Sequence, residues 1–210
     1  MQIILQLFLF SSLIPIVAGL TSRRKLNTFF NLLLWSLIAA VLSEVLGYLS
    51  AKYFRNNIGV YSTYALVNIS ILAKMWQSHH YNTKKDNRAI SITAITLMVL
   101  TTVSVCIYGF TMETLYLVIS LNLLGTFLFA LHHVYKEITS EYDASHTLHN
   151  PYLIVSGAYF VFVLATITIV LADSITPSQW TSHFRMFFYL IQNLLLTYAF
   201  YIYSNQTFNQ

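Results

Sequence analysis

Seven polar side chains stand inside long apolar runs: Glu44, Tyr61, Tyr64, Asn68, Asn122, Gln192 and Asn193. In hydrocarbon each costs free energy unless it meets a partner or a polar cavity, so together they mark a candidate binding layer. Their spacing is helical. Ser36, Ala40, Glu44 and Tyr48 recur every four residues, and Tyr61, Tyr64 and Asn68 nearly so. Asn122, Thr126, Phe129 and His133 form a third stripe, and Tyr189, Gln192, Asn193, Thr197 and Tyr201 a fourth. Such sets share one helix face and are expected to point inward. At about 1.5 Å per residue, Glu44 lies roughly 10 Å from the expected outer end of its helix, and Asn68, Asn122 and Asn193 roughly 13 Å from theirs. Two chemistries suit this layer. It can line a polar cavity open to the outside, where Glu44, the one ionisable group, meets a cation or other ligand. Alternatively, the amides bridge helices through hydrogen bonds of well under about 1–2 kcal/mol each, and Glu44 adds one more.

Histidines make a second constellation. His79 and His80 close the third apolar run, and His132 and His133 the fifth. Glu137 follows His133 by one helical turn, and His146 and His149 lie in the loop beyond. Imidazoles with a carboxylate suit zinc or a similar metal. Adjacent histidines on a helix point in different directions, however, and the set reads first as an interfacial or partner-binding group. No metal, cofactor or catalytic residue is expected; His79, His80, His132, His133 and Glu137 are the candidates should a metal bind.

Other chemistries lack their signatures. HExxH, GxSxG and CxxC do not occur, nor does an HxxxH pair within an apolar run. The last run contains no lysine for a retinal Schiff base. Cys106 is the only cysteine, which excludes an internal disulfide and a thiolate cluster.

The elements that position these residues follow from composition. Of 210 residues, 57% are hydrophobic and only 9% charged, with a mean hydropathy of +0.63. A soluble surface needs roughly 25% charged residues, so a soluble enzyme, a nucleic-acid module and a disordered chain are excluded. Seven stretches are long enough to cross a bilayer: 3–20, 27–50, 58–77, 89–109, 114–135, 152–172 and 184–204. The fold class expected is all-α, one polytopic seven-helix transmembrane domain over residues 1–210. The first stretch has no basic segment before it and reads as a retained helix, not a signal peptide. Lys and Arg near alternate loops divide seven to three, with Arg23, Arg24, Lys25, Lys84, Lys85, Arg88 and Lys136 on one side and Lys52, Arg55 and Arg185 on the other. The positive-inside bias therefore places the N-terminus outside and the C-terminus in the cytoplasm. Asn27 and Asn150 are expected to open the second and sixth helices.

Three segments carry a family likeness. Asn56-Asn57-Ile58-Gly59-Val60-Tyr61 and Asn150-Pro151-Tyr152 with Ser156-Gly157 resemble the starts of the third and sixth helices, and Gln192-Asn193 with Tyr198 and Tyr201 a stretch within the seventh, of small bacterial seven-helix membrane proteins. That group is akin to the membrane sensor half of certain histidine kinases. The resemblance implies a bacterial inner-membrane location and a receptor-like or signalling role. The chain stops six residues after Ser204, so no fused kinase is expected.

The sequence-based expectation is a stand-alone receptor-like or signalling-partner protein with an outward polar pocket. Besides the lipid bilayer, its expected partner is a cytoplasmic signalling protein at the inner loops; homo-oligomers are compatible, and nucleic acid is not expected. The alternatives are a small transporter or channel subunit, and a lipid-active membrane enzyme using the inner histidines.

Overall fold

Short polar side chains open most of the helices, because the first amides of a helix have no intrahelical acceptor. A computed structural model describes residues 2–79, 82–139, 150–175 and 179–206. It contains α1 (Gln2–Thr21), α2 (Thr28–Phe54), α3 (Ile58–Gln77), α4 (Lys84–Tyr108), α5 (Met112–Thr139), α6 (Pro151–Ile175) and α7 (Gln179–Gln206), with a 3₁₀ turn at Arg23–Lys25. Among the described residues there is no strand. Asn27 caps α2, its Oδ1 accepting from the Phe30 amide at 3.1 Å. Asn150 caps α6 by accepting from the amides of Tyr152 and Leu153 at 3.0 and 3.3 Å, with Pro151 at the first helical position.

All seven expected stretches are helical. Six of them, α2 to α7, are long and apolar enough to cross a membrane, while the apolar segment Ser11–Thr21 of α1 is shorter. Helix ends depart from the apolar windows. α4 begins at Lys84, five residues before the expected start, because Thr83 and Asp86 form a reciprocal capping box. The Asp86 amide donates to Thr83 Oγ1 and the Thr83 amide to Asp86 Oδ2. A charged first turn thus stays helical although hydropathy does not register it. α2 runs on to Phe54 and stops where Arg55 takes a left-handed conformation, φ 55°, its amide donating to the Ala51 carbonyl.

Contacts divide the chain into two compact units, residues 1–26 with 130–210, and residues 27–129. In the second, α2 packs on α3 and α3 on α4. Its core holds Phe29, Phe30, Leu33 and Leu34 of α2 with Leu72, Met75 and Trp76 of α3, and the Phe29 and Trp76 rings meet edge-on at 5.3 Å. Gln77 Nε2 ties α3 to Ser91 Oγ of α4 at 2.7 Å. In the other unit, α7 packs on both α6 and α1 around buried Val155, Val163, Leu196, Ala199 and Phe200.

Candidate functional site

Within the unit 27–129, one amide joins three helices. Ser36 Oγ of α2 donates to Asn68 Oδ1 of α3 at 2.9 Å, and Asn68 Nδ2 donates to Asn122 Oδ1 of α5 at 3.0 Å. Asn68 is buried and Asn122 half-buried, and Thr126 on the same α5 stripe closes back on the Asn122 carbonyl at 2.8 Å. The amides here link helices, as the bridging reading of the layer expects.

Glu44 stands apart from this chain. A spacing of four residues advances the helix by 400°, a drift of about 40° per step, so Glu44 is turned about 80° from Ser36. The residues that keep Ser36's face are Ser43 and Gly47, both buried. Glu44 instead falls within about 20° of Leu33 and Leu37, which are buried, yet is itself exposed. One face of α2 is therefore closed over its first half and open at the carboxylate. The partner of Glu44 among the described residues is Tyr61, whose hydroxyl donates to Oε2 at 3.4 Å. Gly47 permits this approach: a Cβ there would lie 2.9 Å from Tyr61 Oη. Tyr64, half-buried, is turned about 60° from Tyr61 around α3 and borders an apolar groove with Leu42, Leu46 and Val67.

The same drift corrects the ends of two expected stripes. Tyr48 and Tyr201 were expected to face inward with Ser36 and Gln192, and both are 63% exposed. The α5 stripe, Asn122 to His133, stays buried or half-buried throughout.

In the unit formed by residues 1–26 and 130–210, Asn193 Nδ2 of α7 donates to Ser11 Oγ of α1 at 3.0 Å, both buried. Gln192 beside it is buried, and Ser12 and Tyr189 place their oxygens 3.2 Å apart. Ser11 and Ser12 are polar partners that hydropathy alone does not pick out, since serine scarcely interrupts an apolar run.

The α5–α6 junction of this unit holds a second buried group. His133 Nδ1 and Ser156 Oγ lie 2.6 Å apart, and Ser156 Oγ also lies 2.8 Å from the Tyr152 carbonyl. His133 Nε2 faces Glu137 Oε1 at 3.7 Å, one turn along α5. Glu137 Oε2 accepts from Asn150 Nδ2 at 2.7 Å, so the residue that caps α6 also holds the carboxylate of α5. All four residues are buried. His133 and Glu137 are thus brought together as the metal reading requires of two ligands, while both already engage in a polar network. His132, the next residue, is half-buried and turned away by one helical step. His79 follows α3, buried, its ring edge-on to Phe29 at 6.2 Å. His80, His146 and His149 lie outside the described residues.

No family model, curated protein or solved structure matches the chain.

Proposed function

We propose that the chain is a receptor-like or signalling-partner protein of the bacterial inner membrane. In this reading all seven helices cross, the N-terminus is outside, the C-terminus is cytoplasmic, and a polar pocket opens outward at Glu44 and Tyr61. The seven-to-three distribution of Lys and Arg supports the orientation. One observation supports the pocket above all: Glu44 is exposed, whereas Leu33 and Leu37, earlier on the same face of α2, are buried. A carboxylate and a phenol at an opening suit a small cation or amine that also accepts or donates a hydrogen bond. Beyond Glu44 that face becomes apolar, through Leu37, Leu33 and the adjacent Phe30. The buried apolar residues behind Glu44 favour ligand sensing over translocation, because a path for a polar solute would need polar lining to continue.

Thermal unfolding of the purified protein against a panel of inorganic cations and small amines tests this. At least one member is expected to raise the Tm of the unaltered chain, and Glu44→Gln to abolish that rise while keeping the basal Tm. At 100 Kd a site-specific ligand stabilises by about 2.7 kcal/mol, a shift well above noise. A panel that acts equally on both forms, or on neither, contradicts the pocket.

A further inference from the structure

Where α5 meets α6, the order of donors and acceptors assigns the protons of the buried polar group. Ser156 Oγ donates its single hydrogen to the Tyr152 carbonyl at 2.8 Å. Its contact with His133 Nδ1 at 2.6 Å is then made by the ring, which donates an N–H to the serine oxygen. With the hydrogen of a neutral imidazole on Nδ1, the other nitrogen, Nε2, presents a lone pair. Glu137 stands four residues on, along the same face of α5. Its Oε2 accepts from Asn150 Nδ2 at 2.7 Å, and its Oε1 faces His133 Nε2 at 3.7 Å.

Two lone-pair atoms are thus turned toward each other on residues only 1% and 5% exposed. A proton or a metal ion between them makes that arrangement favourable, and distance separates the two. A charge-assisted hydrogen bond from an imidazolium would draw the atoms to about 2.7–2.9 Å. Ligand atoms about 2.0–2.2 Å from one tetrahedral ion stand about 3.3–3.6 Å apart, close to the spacing seen. The outer atoms also carry the contacts that orient metal ligands. A ligating imidazole gives its other N–H to an oxygen, as His133 does to Ser156, and a ligating carboxylate is itself hydrogen-bonded, as Glu137 is by Asn150.

We propose that His133 Nε2 and Glu137 Oε1 are two ligands of a divalent metal ion of the zinc class, oriented by Ser156 and Asn150. A nitrogen paired with an oxygen suits zinc and its borderline neighbours, whereas magnesium and calcium take oxygen ligands. Water or further side chains complete the coordination. Glu137 lies in the last turn of α5 and Asn150 just before α6, so the site sits at helix ends, nearer the water than the middle of a span. Asn150 holds the carboxylate and also caps α6, so a bound ion ties the start of α6 to α5.

Metal retention tests the proposal. The full chain, purified in detergent and stripped with EDTA, is given zinc or magnesium, desalted and analysed for metal; competition with a chromogenic chelator reads the zinc affinity. The unaltered chain is expected to retain zinc and no magnesium. His133→Gln with Glu137→Gln is expected to lose about one zinc per chain; Glu137→Gln alone, which keeps the side-chain shape, replaces the pair if the double variant does not fold. Ser156→Ala leaves both ligands in place and is expected to weaken zinc binding about 10–100-fold. Glu44→Gln is expected to keep the zinc, which separates this site from the outward pocket. As much zinc on a folded ligand variant as on the unaltered chain overturns the proposal, and so does an unaltered chain that retains none. Undiminished affinity in Ser156→Ala also overturns it, because the imidazole would then not be oriented through Nδ1.

Discussion

At Asn68 a single side chain joins α2, α3 and α5, using its carbonyl toward Ser36 and its amide toward Asn122. Replacing it by Leu removes both bonds and leaves two polar groups facing an apolar side chain. Asn68→Leu is expected to destabilise by about 1–3 kcal/mol, read as a lowered Tm in detergent, and Ser36→Ala by less, since only one bond is lost. If Asn68→Leu leaves the Tm unchanged, the bridging role is wrong. Glu44 behaves differently because it is exposed and shares one long bond with Tyr61. Gly47→Val places methyl groups where the Tyr61 hydroxyl sits, and is expected to lower the Tm by forcing that ring off α2. A normal Tm, with ligand stabilisation retained, would show that the close approach of Gly47 and Tyr61 matters to neither fold nor pocket.

Elements show which features a sequence discloses and which it hides. Apolar runs gave the existence of every helix, because nothing but a helix satisfies the backbone across so long an apolar segment. The caps at Asn27 and Asn150 were also legible, being short polar residues just before such runs. The extra turns were not: Lys84–Arg88 reads as a loop by hydropathy and is held helical by the Thr83–Asp86 box. Thr83→Ala is therefore expected to cost about 1 kcal/mol and to raise amide exchange over the first turn of α4; unchanged exchange would remove the box from the account. The inward stripes were legible near their middles and failed at their ends. A four-residue spacing drifts around the helix, so Tyr48 and Tyr201 turn outward and Glu44 leaves the Asn68 layer for the face of Leu33 and Leu37. The tie from Asn150 to Glu137 and the approach of Ser156 to His133 were hidden for another reason. They depend on how α5 meets α6, which no local pattern encodes.

At the scale of the whole molecule the account rests on orientation. A reporter joined after Gln210 is expected to be active only in the cytoplasm, and activity outside would reverse every inner and outer assignment. Cys106 is exposed on α4, away from the polar groups described above, so Cys106→Ala is expected to leave the Tm and any ligand response nearly unchanged. That substitution also supplies the cysteine-free chain needed for the most direct test of the outward pocket. In it, Glu44→Cys is compared with a cysteine at exposed Ile95 of α4, labelled by a charged, membrane-impermeant maleimide in cells whose outer membrane has been permeabilised. A thiol in an outward polar pocket ionises and reacts, whereas one facing hydrocarbon does not. The account predicts rapid labelling at position 44 from outside and none at position 95. Position 44 remaining unlabelled from outside, or reacting only in inverted vesicles, would contradict it.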